Sequence, residues 1–96
     1  MKELTHIKQI LSKLKPELAG KFHVSSIGLF GSIVRNDFNS SSDIDIIVDF
    51  SEPIGIEFVD LADFIEKELN KPVDLVSKKG IKPKYFNAIE SEIIYV

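Results

Sequence analysis

Asp43 and Asp45 stand two positions apart in the run Ser42-Asp43-Ile44-Asp45-Ile46. On a strand that spacing sends both carboxylates out of one face, within about 7 Å of each other. Carboxylates that close repel, and this run offers no neighbouring Lys to neutralise them. Either the pair is fully solvated or a hard cation sits between the two. Mg²⁺ suits the second case, because it takes a couple of carboxylates and completes its shell with water and substrate phosphates. Asp74 adds a third strand carboxylate, and its neighbours Val73 and Leu75 imply a sheet interior, where a charge needs a partner or a metal.

The complementary half is Gly31-Ser32, at a strand-to-helix turn. Glycine lets backbone approach a phosphate, and free N–H groups at the start of the helix point outward. The Ser32 hydroxyl can donate to a phosphate oxygen, and Arg35 is a charged donor within reach. A phosphate cradle beside a carboxylate pair describes metal-assisted nucleotidyl transfer.

The surrounding pattern has to bring these parts together. Leu4, Ile7, Leu11, Leu14 and Leu18 recur at helical steps, which predicts a helix over about 2–19 with Pro16 near its end and Gly20 just past it. Val24–Phe30 reads as a strand, 33–42 as a helical turn and a loop, and 43–50 as a second strand. Ile44, Ile46, Val48 and Phe50 share one face of that strand, with Asp43, Asp45, Ile47 and Asp49 on the other. Phe58, Leu61, Ala62, Ile65 and Leu69 predict a second long helix that stops at Asn70, before Pro72. Val73–Val76 is a short strand, and Pro83 opens a last helix with Phe86, Ile89 and Ile93 on one face. The loop joining the first two strands is too short for a parallel crossover, so they pair antiparallel. That pairing sets Gly31-Ser32 beside Asp43 and Asp45. The fold class is α/β (α+β), a small mixed sheet of three to four strands flanked by helices.

Ninety-six residues, 44% hydrophobic and 28% charged, describe one globular domain over 1–96. A net charge of −3 argues against a general nucleic-acid binder, whose affinity comes from phosphate neutralisation by Lys and Arg. The absence of cysteine excludes disulfides and a Cys-based zinc site. The N-terminus does not read as a signal peptide, and no apolar run is long enough for a membrane span. The expectation is a cytoplasmic protein.

Gly31-Ser32, ten residues, then Asp43-Ile44-Asp45 resembles the Gly-Ser-x10-Asp-x-Asp signature of the nucleotidyltransferase superfamily, the polymerase-beta-like fold. The short chain, the context of the Asp pair and Asp74 look most like the minimal nucleotidyltransferases (MNT). These are often encoded beside a helical HEPN protein as a toxin–antitoxin pair. The resemblance spans roughly 20–80. It implies that Gly31 and Ser32 bind nucleotide phosphates, that Asp43 and Asp45 hold two Mg²⁺, and that Asp74 is a third ligand or a base near the attacking hydroxyl. It further implies transfer of AMP from ATP to a hydroxyl, a Tyr of the cognate HEPN toxin. Ile33 departs from the pattern, since many relatives carry a basic residue there, whereas Arg35 is kept. Larger relatives cover the nucleotide with a second domain, so here the partner or a second copy of the chain should complete the cleft.

Each motif alone has a blander reading: Gly-Ser as a turn, Asp-x-Asp as a solvated strand end, Arg35 as half of a surface ion pair. The acidic residues of the second long helix read as its solvated side. His6 and His23 lack metal-ligand spacing. Lys71, Lys78, Lys79, Lys82 and Lys84 read as a solvated turn before they read as a triphosphate anchor. Two rival functions share the residues. One is an antitoxin that neutralises its partner by contact without catalysis, and the other is transfer to a small-molecule (antibiotic) acceptor or to RNA ends.

Overall fold

The computed structural model describes residues 2–96. Its elements, in chain order, are α1 (Lys2–Phe22), β1 (Val24–Phe30), α2 (Ser32–Arg35), β2 (Ile44–Phe50), α3 (Glu57–Leu69), β3 (Val73–Ser77), α4 (Pro83–Ile89), a 3-10 turn (Glu90–Glu92) and β4 (Ile94–Tyr95). The strands form one mixed sheet in the order β3-β2-β1-β4. As expected, β1 and β2 are antiparallel; β3 runs parallel to β2, reached through α3.

The sheet has an apolar layer on each side. Ile27, Leu29, Ile44, Ile46 and Val48 point to one face, where Ile7, Leu11, Leu14 and Leu18 of α1 and Leu61, Ile65 and Leu69 of α3 cover them. The opposite face is smaller: Phe30 and Ile47 pack with Ile89 of α4, and Val76, Ile81, Phe86 and Ile93 surround them. Burying one branched side chain of this kind contributes about 1.5–3 kcal/mol, so the first layer carries most of the stabilisation.

Two boundaries differ from the sequence reading by more than one residue. α1 continues through Pro16 and Gly20 to Phe22, and the turn into β1 is made by His23 at φ 58°. Pro16 removes one helical hydrogen bond, but Ser12 and Pro16 both lie on the exposed side, where water satisfies the freed carbonyl. Phe22 then gains the Phe64 ring of α3 at 5.6 Å between centroids, which favours the longer helix.

The last helix does not carry Ile93. α4 stops at Ile89, and the chain turns through Glu90–Glu92 into β4, which pairs antiparallel with β1 at Gly28 and Leu29. The Val96 N–H also donates to the Ile27 carbonyl at 2.9 Å. Closing the open edge of β1 satisfies backbone groups that a longer helix would leave unpaired. Ile93 still reaches the smaller core. No described helix is long and apolar enough to cross a membrane.

Candidate active site

The site is built by strand register. Phe30, the last residue of β1, pairs with Asp45 of β2, and Asp45 pairs with Asp74 of β3. Three neighbouring strands therefore present Gly31, Asp45 and Asp74 at one end of the sheet. Asp43 lies just before β2 and, by the two-residue period, on the same side as Asp45.

Gly31 has φ 78° and ψ −150°, a combination essentially confined to glycine. A Cβ at this position would overlap the Asp45 carboxylate. The Gly31 carbonyl accepts the N–H groups of Val34 (3.0 Å) and Arg35 (3.1 Å), so the same residue starts α2. Asn36, left-handed at φ 69°, ends it. Ile33 is buried in the larger core, which anchors this short turn and leaves Ser32 half-buried at the site's rim.

Asp45 is half-buried, and its carboxyl is pushed up to about 6. Burial is the main cause, and the charges of Asp74 and Asp43 follow; Arg35 opposes the rise and Glu92 adds to it. Asp43 and Asp74 are exposed. The interior position expected for Asp74 does not hold. β3 is the edge strand, and Val73 and Leu75 turn toward the larger core while Asp74 points the other way, into open space. What the reading kept is the juxtaposition: Asp74 is a charge that Asp45 feels.

Among the described residues, no three carboxylate or imidazole side chains gather tightly enough to cage an ion by themselves. Asp45, with Asp43 on the same side, is the kind of donor set Mg²⁺ takes, one or two carboxylates with water and phosphate oxygens filling the shell. Asp74 and Asp43 lie near enough to Asp45 for their charges to raise its carboxyl, and a cation held there would oppose that rise.

Arg35 is exposed and already paired. Its guanidinium contacts Glu92 Oε1 at 3.2 Å and Asp37 at 3.8 Å. Glu92 Oε1 also accepts the Gly31 N–H at 3.0 Å. Sequence reasoning missed Glu92. It lies 61 positions from Gly31, on a turn that the helical pattern of Phe86, Ile89 and Ile93 conceals, and no local signal marks it. The other candidates stay outside the cluster: His23 pairs with Glu52 at 3.1 Å, and Lys78 lies over the rings of Phe86 and Tyr95. Surface grooves beside Thr5, Lys8 and Gln9 of α1, and beside Phe50, Pro53 and Phe58, are also away from the carboxylates.

Comparisons with known proteins place the chain in a family. The family model described as nucleotidyltransferase domain matches residues 7–96. The chain belongs to the nucleotidyltransferase domain family. Protein adenylyltransferase MntA of Thermococcus cleftensis is 40% identical, with 100% of this chain and 98% of that protein covered. A candidate protein adenylyltransferase of Methanocaldococcus jannaschii is 45% identical over the full length of both chains. A solved structure of a candidate minimal nucleotidyltransferase superposes with a TM-score of 0.74 at 26% identity, covering 94% of this chain and 88% of that one. The crystal structure of a toxin–antitoxin mutant, MntA-HpeT, reaches the same TM-score of 0.74 at 21% identity over 93% of this chain and 70% of that one, a likeness of fold. The protein is thus a nucleotidyltransferase enzyme, and its mixed four-stranded sheet is that of the fold.

Proposed function

We propose that this nucleotidyltransferase transfers AMP from ATP to a protein hydroxyl, a Tyr of a cognate HEPN toxin, and thereby acts as its antitoxin in the cytoplasm. The observation that carries the reading is the register setting Asp45 between Phe30 and Asp74, so that phosphate-approaching backbone and carboxylates meet at one end of the sheet. Full-length relatives named protein adenylyltransferase support the reaction. A structural neighbour from a toxin–antitoxin pair supports the partner.

In this reading, Gly31 and Ser32 hold the nucleotide phosphates, with Arg35 as an additional charged donor. Asp43 and Asp45 would hold two Mg²⁺, which neutralise charge developing around the α-phosphorus. Asp74, as a third ligand or as the base, serves the attacking hydroxyl. A bond forms between that oxygen and the α-phosphorus, the bond to pyrophosphate breaks, and the hydroxyl proton passes to Asp74 as base or to solvent water. The chain works as one domain over 1–96, and the toxin or a second copy of the chain covers the open side of the nucleotide.

Intact-mass spectrometry of the partner after incubation with this chain, Mg²⁺ and ATP tests the proposal. One or more added adenylyl masses are expected, and none with Asp43→Asn/Asp45→Asn. A stable complex that neutralises the partner equally well with the double variant would replace catalysis by contact. Transfer to an added small molecule and not to the protein would change the acceptor.

A further inference from the structure

Glu92 occupies the donors that a phosphate needs. Its Oε1 accepts the Gly31 N–H at 3.0 Å, and the Arg35 guanidinium reaches Oε1 and Oε2 at 3.2 and 3.4 Å. A carboxylate taking one backbone amide and one guanidinium makes the charge-assisted contacts a phosphate oxygen would make. Nothing in α4 or β4 requires this bond: Ile89 and Ile93 anchor the segment in the smaller core, and β4 holds its end. Glu92 is also partly open to solvent, with 24% of its side chain exposed, so a change of its torsions alone can swing it out.

We propose that Glu92 is an intramolecular occupant of the phosphate cradle that ATP must displace from Gly31 and Arg35 before transfer begins. The inference rests on the reading of Gly31 and Arg35 as phosphate contacts. Its consequence is a built-in discrimination. A triphosphate carries enough charge, with its cation, to compete for both donors, whereas a weakly charged nucleotide does not. An occupant that fills the cradle in about nine molecules out of ten weakens the apparent affinity about tenfold, because only the open fraction binds.

The experiment is calorimetric titration of the full chain with Mg²⁺ and α,β-methylene-ATP, with adenosine as the phosphate-free control. Glu92→Ala is expected to tighten the analogue about tenfold and to leave adenosine unchanged. Glu92→Gln, which keeps an acceptor for the Gly31 amide but loses its charge toward Arg35, should fall between and decides the matter if the alanine variant folds poorly. Glu90→Gln removes a charge from the same turn without touching the cradle and should stay within about twofold of the parent. In turnover, Glu92→Ala should lower KM for ATP with little change in kcat, a split that a merely structural role would not produce. An unchanged or weaker affinity in both Glu92 variants, or an equal gain from Glu90→Gln, overturns the occupant and leaves the transferase reading intact. Failure of parent and variants alike to bind the analogue removes the nucleotide reading, and the occupant with it.

Discussion

Gly31 and Asp45 stand so close that a methyl group on the glycine would land on the aspartate's carboxylate, with Cγ only 2.9 Å away. Two demands meet at this glycine, a φ of 78° and the space occupied by a site carboxylate. Gly31→Ala should therefore lower stability by at least about 2 kcal/mol, from backbone strain plus the clash, and should abolish transfer. Adding Asp45→Ala to Gly31→Ala should recover the clash and not the strain. Urea denaturation of these variants and of Asp45→Ala alone checks this; a double variant as stable as Asp45→Ala alone would show that the backbone is not strained.

The raised Asp45 carboxyl makes stability depend on pH. Folded Asp45 titrates near 6 against an ordinary value of 3.8, so the folded chain holds its proton more tightly than the unfolded one. That contribution is complete below the unfolded value and is lost as pH rises through about 6. The group is only half-buried, so the loss is discounted for solvent screening to about 1–2 kcal/mol. Asp45→Asn should be more stable than the parent by that amount at pH 8 in chelator, with no advantage at pH 4. Parallel stability profiles for the two proteins would mean that Asp45 titrates normally.

Asp74 is the leading charge among the causes of that rise, after burial itself. Asp74→Asn should move the Asp45 carboxyl back toward its ordinary value without reaching it, since burial and Asp43 persist. The carboxyl carbon shift of Asp45, followed by NMR against pH, reads this directly. Transfer should fall at least about tenfold if Asp74 serves as the proposed ligand or base. An Asp45 titration that ignores the substitution would separate the two strands' carboxylates electrostatically and remove Asp74 from the site.

The meeting of Gly31-Ser32 with the Asp43-Asp45 run was legible because its information is local. Gly31-Ser32 and Asp43-Ile44-Asp45 are short motifs, and the loop between them is too short for anything but antiparallel pairing, so local pattern and register agree. The stop of α3 was equally local: Asn70 is left-handed at φ 55°. What was not legible is settled by tertiary contact. His23 replaces Gly20 as the turn because Phe22 finds Phe64. Asp74 is exposed because β3 has no neighbour on its outer side, which its aliphatic flanks do not reveal. β4 and Glu92 depend on the chain's end returning to β1, and a two-residue strand has no periodicity to read.

That return leg is held close by a second glycine. A Cβ on Gly28 would lie 2.8 Å from Ile93 Cγ2 and 3.2 Å from Tyr95 Cδ1, on the segment that follows Glu92. Ile93 is packed into the smaller core and β4 is paired to β1, so neither yields without moving the turn. Gly28→Ala gains up to about 1 kcal/mol from the unfolded chain's lost freedom and loses about 1–3 kcal/mol to overpacking. Net destabilisation of about 1 kcal/mol is expected. The displaced turn should also loosen the hold of Glu92 on Gly31, so the affinity for α,β-methylene-ATP should rise a few-fold despite the lower stability. This gain should vanish in the Glu92→Ala background, where there is no occupant left to release. Titration of the single and double variants checks both halves, and a gain that persists without Glu92 would assign it to some other consequence of moving β4.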